Sequence, residues 1–122
     1  MTGSCILIVE DTEDNRQIMR DVLTNAGFAI VEAHDGLMAV GLAAEVKPDL
    51  IVMDIQLPIL NGYEAIRLIR ADPGLHHVPI VAVTSYALSG DEEKAREAGC
   101  NAYIAKPFSP RQLLAIVREF LD

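Results

Sequence analysis

Glu10, Asp11, Asp54, Thr84 and Lys106 carry most of the chemistry this chain could perform, because each stands where an apolar run stops. Cys5-Ile6-Leu7-Ile8-Val9 breaks at Glu10-Asp11, Leu50-Ile51-Val52-Met53 at Asp54, Ile80-Val81-Ala82-Val83 at Thr84, and Ala102-Tyr103-Ile104-Ala105 at Lys106. Three carboxylates gathered in a partly dry crevice would repel one another strongly, so a cation must offset them. A hard divalent ion with oxygen ligands meets that need, and magnesium suits a site that keeps several waters and awaits phosphate oxygens. Lys106 is a compact cation long enough to pair with Asp54 or an incoming phosphoryl oxygen. Thr84 offers a hydroxyl to the same oxygen. Carboxylate nucleophile, metal, ammonium and hydroxyl together describe the acceptance of a phosphoryl group onto Asp54. Taken singly, the acid pair is a solvated turn capping a helix, Thr84 a β-branched strand residue and Lys106 a surface lysine. The shared position at strand ends is what sets these plainer readings aside.

The elements that must position these groups alternate. Leu50 to Met53 is too short for a helix and rich in β-branched residues, so it reads as a strand buried on both faces of a parallel sheet. Cys5 to Val9, Phe28 to Val31, Ile80 to Val83 and Ala102 to Ala105 are the other four strands. Helical spacing follows each of them. The stripes are Ile18, Met19, Val22, Leu23 and Ala26, stopped by Gly27; then Val40, Ala43 and Ala44, ended before Lys47-Pro48. Ala65, Ile66 and Ile69 mark a third helix closed by Asp72-Pro73-Gly74, and residues Gly90 to Gly99 an alanine-rich fourth. Ser109-Pro110-Arg111-Gln112 carries an N-cap hydroxyl, a proline at the first helical position and a Gln to complete a capping box; the last helix buries Leu113, Ile116, Val117 and Phe120. Five strand–helix alternations with short connections give an α/β, flavodoxin-like, doubly wound parallel sheet with five helices on two faces. Strand order 2-1-3-4-5 would set the ends of strands one and three side by side at the switch point.

The 122 residues form one expected domain, 1–122, with a sizeable core. Ten Lys and Arg against 18 Asp and Glu leave a net charge of −8, and no basic run occurs, so direct nucleic-acid binding is not expected. No apolar run reaches the roughly 20 residues that span a bilayer, so no membrane partner is expected and the expected location is cytoplasmic. Cys5 and Cys100 lack the close spacing of a zinc or redox motif and read as buried, reduced thiols. His34, His76 and His77 have no acid or cysteine at metal spacing and read as solvated.

Across its full length the chain resembles response-regulator receiver domains. Glu10-Asp11 resembles that family's acid pair, Asp54 its phosphoacceptor, Thr84 its switch hydroxyl, Tyr103 its switch aromatic and Lys106-Pro107 its lysine and following proline. The resemblance implies magnesium bound by Asp11, Asp54 and the backbone carbonyl of Gln56, with Glu10 acting through metal-bound water. It implies a cis peptide before Pro107. It also implies a sensor histidine kinase or histidine phosphotransfer protein as phosphodonor, and a downstream protein reading the face of helix four, strand five and helix five. Phosphorylation would draw Thr84 toward the phosphoryl oxygen and let Tyr103 turn into the vacated space. The expected assembly is a monomer or weak dimer. Gln56 and Tyr86 occupy the family positions that tune hydrolysis, and bulky Tyr86 is expected to slow it.

Pro79-Ile80-Val81-Ala82-Val83-Thr84 and Gly99-Cys100 resemble stand-alone regulators of the DivK type and receivers of hybrid kinases. A stand-alone regulator without an output domain is the expectation, and a receiver module of a hybrid histidine kinase the alternative. The chain is expected to catalyse only its own phosphorylation and dephosphorylation. A hydrolase of the haloacid-dehalogenase kind would need a second carboxylate where Gln56 stands. An FMN binder would need Ser, Thr and Gly in the first loop, where Glu-Asp-Thr-Glu-Asp repels phosphate. A degenerate receiver acting only as a scaffold would not need so complete a site.

Overall fold

A computed structural model describes residues 4–84 and 91–121 of the chain. The elements alternate as β1 (Cys5–Val9), α1 (Glu13–Asn25), β2 (Ala29–Ala33), α2 (Gly36–Val46), β3 (Leu50–Asp54), α3 (Gly62–Ala71), a 3-10 turn (Pro73–Leu75), β4 (Ile80–Thr84), α4 (Asp91–Ala98), β5 (Ala102–Ala105) and α5 (Pro110–Leu121). All strand pairs are parallel and the order is β2-β1-β3-β4-β5, the expected flavodoxin-like arrangement. Among the described residues no helix is long and apolar enough to cross a membrane.

Side chains alternate between the faces of a strand, so each apolar run feeds two cores. Ile6, Ile8, Leu50, Val52, Val81 and Val83 pack with Met19 and Leu23 of α1 and Leu113 and Val117 of α5. Leu7, Val9, Ile51, Met53 and Ala82 pack on the other face with residues of α2, α3 and α4. The register sets Val9 against Met53, Asp54 against Val83, and Thr84 against Ala105. The strands of the centre therefore finish level, and whatever follows them meets at one rim.

Two local devices fix that rim. The loop after β3 doubles back, with Gly62 N–H donating to Ile55 O at 3.0 Å. A Cβ on Gly62 would lie 2.5 Å from the Asp54 carbonyl oxygen, so this close approach requires glycine. Asn61 then caps α3, its side chain accepting from Glu64 N at 3.0 Å. At α5 the capping box forms in both directions: Ser109 N donates to Gln112 Oε1 at 2.7 Å, and Gln112 N to Ser109 Oγ at 3.1 Å.

Several sequence expectations need correction. β2 starts after Phe28 and runs to Ala33, because Phe28 N turns back to Leu23 O while Ala29 to Ala33 pair with Cys5 to Val9. Ile18 is 55% exposed, and α1 buries only Met19 and Leu23 completely. In α2 the buried residues are Gly36, Ala39 and Ala43, while Ala44 faces outward. Ile116 and Phe120 of α5 are half-buried. Cys100 is buried, but Cys5 is only partly so; both are free thiols whose pKa values are pushed up, chiefly by burial. His34, His76 and His77 are exposed as expected.

Candidate functional site

At the end of β1 the ladder continues one step, Glu10 N–H donating to Ala33 O at 3.1 Å, and this carries the Glu10 side chain into the interior, where it is 0% exposed. Arg16 of α1 donates to the Glu10 carbonyl oxygen at 2.8 Å and also pairs with Glu13 and Glu32. Arg20 grips both oxygens of Glu32, at 2.9 and 2.7 Å. The first turn of α1 and the β2 edge are thereby tied to the residue that presents the first acid.

Asp54 is 2% exposed and each of its oxygens is held. Oδ1 accepts the Gln56 main-chain N–H at 2.9 Å, and Oδ2 accepts Lys106 Nζ at 2.9 Å. Lys106 follows β5, its own N–H donating to Thr84 O at 2.7 Å, and the Lys106–Pro107 peptide is cis as the resemblance implied. Its ammonium also reaches Glu10 Oε1 at 2.5 Å. One cation thus bridges the acids at the ends of β1 and β3. Burial alone would lower the Lys106 pKa, but its contacts with Glu10 and Asp54 outweigh burial and hold it above the ordinary lysine value.

Asp11 is exposed beside this pair. Glu10, Asp11 and Asp54 each offer one carboxylate oxygen, and these three atoms lie within 4.8 Å of one another. The Asp11 carboxyl is pushed above the ordinary aspartate value, first by partial desolvation and then by the Glu10 carboxylate beside it. Glu10 Oε2 is buried with no hydrogen-bond partner among the described residues. A buried carboxylate oxygen left unmatched beside two further acids is the donor set a hard divalent cation requires, so the residues present fit magnesium.

Thr84 is fully buried, and its Oγ1 accepts from Gln56 Nε2 at 2.7 Å. Tyr103 is half-buried against the core on the α2–α3–α4 face. Glu10, Asp11, Asp54, Gln56, Thr84 and Lys106 therefore gather at the rim where the strands end, whereas Tyr103 lies within β5 opposite Ala82 and Tyr86 falls outside the described residues. Sequence reasoning missed three contacts: the Lys106–Glu10 pair, the Arg16 hold on the Glu10 carbonyl and the Gln56 side chain on Thr84. The only advance signal for the last was a long amide two residues past the acceptor. An open cleft of about 520 Å³ beside Glu10 and Lys106 is lined also by Asn15, Ile18, Met19, Pro107 and Phe108.

The family model of the response regulator receiver domain matches residues 6–118. The polar-differentiation response regulator DivK of Brucella ovis is 43% identical over 121 residues, spanning 99% of this chain and 98% of that protein. DivK of Brucella anthropi is 42% identical over 116 residues, spanning 95% and 94%. Among solved structures, the receiver domain of the Pseudomonas aeruginosa sensor histidine kinase PA1611, with a magnesium ion coordinated in its active-site cleft, is 40% identical; its TM-score is 0.92 and the match covers 98% of each chain. The chemotaxis response regulator CheY4 of Vibrio cholerae is 26% identical, with a TM-score of 0.92 over 98% of this chain and 99% of that one.

Proposed function

The chain belongs to the response regulator receiver family of two-component signal transduction, and on that premise we propose that Asp54 accepts a phosphoryl group from the phosphohistidine of a sensor histidine kinase or a histidine phosphotransfer protein. An Asp54 carboxylate oxygen would attack phosphorus in line, the phosphorus–nitrogen bond would break, and the imidazole would leave with the electron pair of that bond. Lys106, paired with Asp54, would neutralise charge on the transferring group, and Thr84 would donate to one of its oxygens. Asp11, Asp54 and the Gln56 main-chain carbonyl would hold magnesium, with Glu10 acting through water. When bound, the ion would neutralise equatorial charge on the phosphoryl group.

The observation that carries this reading is Lys106 Nζ bridging Glu10 and Asp54 at 2.5 and 2.9 Å while Glu10 Oε2 stays unmatched among the described residues. The bridge marks the place where positive charge meets the acceptor. The unmatched oxygen marks a charge still to be answered.

In this proposal residues 1–122 act as one receiver domain, which the match over 98% of the Brucella ovis regulator's own length supports. The receiver of PA1611 supports the hybrid-kinase arrangement as a second reading. Output would pass through contacts on α4, β5 and α5, from a monomer or weak dimer, as Thr84 moves and Tyr103 turns. Two unpaired thiols suit the reducing cytoplasm, where we place the exchange. The only reaction assigned to the chain is its own phosphorylation and dephosphorylation. Incubation with acetyl phosphate and magnesium, followed by intact mass, tests the core of the proposal. One phosphoryl adduct labile to acid and to base is expected on the wild type and none on Asp54→Ala; no adduct, or equal adducts, would contradict it.

A further inference from the structure

We propose that the Gln56 side chain is a positioning residue for the switch hydroxyl: its amide holds Thr84 Oγ1 in the resting arrangement and opposes movement of Thr84 toward a phosphoryl group on Asp54. This inference rests on the phosphoacceptor reading and concerns how that site is regulated.

Thr84 closes β4 with 0% exposure, so its hydroxyl must find its hydrogen bonds inside the protein. The Gln56 amide meets it at 2.7 Å. That amide projects from a fixed base. Gln56 N–H is bonded to Asp54 Oδ1 at 2.9 Å, and the loop behind it is closed by Leu57 N to Ile55 O at 3.1 Å and Gly62 N to Ile55 O at 3.0 Å. Gln56 therefore touches the acceptor with its backbone and the switch residue with its side chain, joining the two across 28 residues of sequence.

Relative strengths decide what such a contact can do. An amide–hydroxyl bond between neutral groups is roughly half as strong as one to an anionic oxygen. Phosphoryl oxygens on Asp54 would accept the Thr84 hydroxyl proton in a bond strong enough to draw the side chain off the Gln56 amide, so the Gln56 contact restrains the resting protein without blocking the switched one. Removing a single neutral hydrogen bond should raise the switched fraction of the unphosphorylated protein roughly fivefold. Gln56→Met keeps the length and apolar stem of the side chain and deletes its donor.

The test uses the full chain with carbon-13 methyl-labelled threonine. The Thr84 methyl and Tyr103 ring signals are recorded in the resting protein and with excess acetyl phosphate and magnesium, and intact mass is measured alongside. Expected are a wild-type Thr84 signal that moves on phosphorylation, and a resting Gln56→Met signal already displaced along the same line. In a Thr84→Val background, Gln56→Met should leave Tyr103 where Thr84→Val alone puts it. A resting Gln56→Met signal that coincides with wild type, while the wild type still takes up phosphate, overturns the restraint and leaves the phosphoacceptor reading intact. An undiminished Tyr103 displacement in the Thr84→Val background overturns it too, because Gln56 would then not act through the hydroxyl. No phosphoryl adduct on the wild type removes the reading beneath both.

Discussion

Two cations sit at opposite rims of the same sheet and have opposite surroundings. At the rim where the strands begin, Arg70 of α3 donates to Gly99 O at 2.9 Å, Leu75 O at 3.1 Å, His76 O at 3.2 Å and Asn101 Oδ1 at 2.7 Å. Asn101 Oδ1 also accepts from Ile80 N at 2.9 Å, so this hub stitches the end of α3, the start of β4 and the turn into β5. All three guanidinium nitrogens face neutral oxygen acceptors, three main-chain carbonyls and one side-chain amide, and burial holds the Arg70 pKa below the ordinary arginine value. At the rim where the strands end, Lys106 faces two carboxylates, a third lies nearby, and Glu10 Oε2 is left unmatched among the described residues. The first arrangement is complete as it stands and holds the fold. The second carries excess negative charge around the Lys106 ammonium, the arrangement on which the phosphoacceptor proposal rests.

The contrast can be broken from either side, and the largest effect should come from the complete hub. Arg70→Met removes four contacts and is expected to cost about 3 kcal/mol of stability, read by denaturant unfolding, while phosphoryl uptake per folded molecule stays unchanged. Unchanged stability would mean that the hub is not what holds this rim. Gly99→Ala should come next, at about 2 kcal/mol. Gly99 has φ +123°, and an added Cβ would lie 2.6 Å from Arg70 Cγ, so strain and displacement of Arg70 combine. Stability equal to wild type would show that the turn relaxes freely.

At the other rim the effects are smaller and one of them reverses in sign. Arg16→Met frees the Glu10 carbonyl and should cost about 1 kcal/mol while weakening magnesium binding roughly threefold, measured by calorimetric titration. Unaltered magnesium affinity would confine Arg16 to a structural role. Asp11→Asn should raise the melting temperature of the metal-free protein at pH 7 by about 2–5 °C. The raised Asp11 pKa means that the fold disfavours the ionised carboxylate, so this penalty is present above the folded pKa and relieved as pH falls through it. The gain of Asp11→Asn should therefore vanish below the ordinary aspartate value of 3.8. Added magnesium should stabilise the wild type more than the variant and reverse their order. A variant less stable than wild type without metal would contradict the claim that these acids repel.

How much of this was legible in the sequence follows from what each residue's environment depends on. The apolar runs of β1, β3 and β4 are buried on both faces, so their character does not depend on register and they stand out as runs; β5, at the far edge, is legible because all four of its residues are apolar, although Tyr103 and Ala105 are half-buried. β2 lies at the sheet edge with Ala29 exposed and Ile30, Val31 and Glu32 half-buried; its apolar signal fades before the strand ends. In α2 nearly every residue from Gly36 to Ala44 is apolar, so periodicity lacks the contrast to choose Ala39 over Ala44. Ile18 reads as core by type, yet lines the open cleft beside Glu10. The acids, Thr84 and Lys106 were legible because strand ends in a parallel sheet share one rim. The bonds of Arg16, Gln56 and Arg70 were not, since each spans from a helix or loop to a partner whose position is set only by tertiary packing.

The central claim is that the unmatched carboxylate cluster presents Asp54 to phosphorus, and borohydride reduction of the freshly phosphorylated protein addresses it directly. An acyl phosphate on an aspartate is reduced to the alcohol, converting that residue to homoserine, and peptide mass spectrometry reads where. Conversion at Asp54, with Glu10 and Asp11 unchanged, is the predicted result. Conversion at another carboxylate, or none in a protein whose intact mass shows the phosphoryl group, would contradict the account.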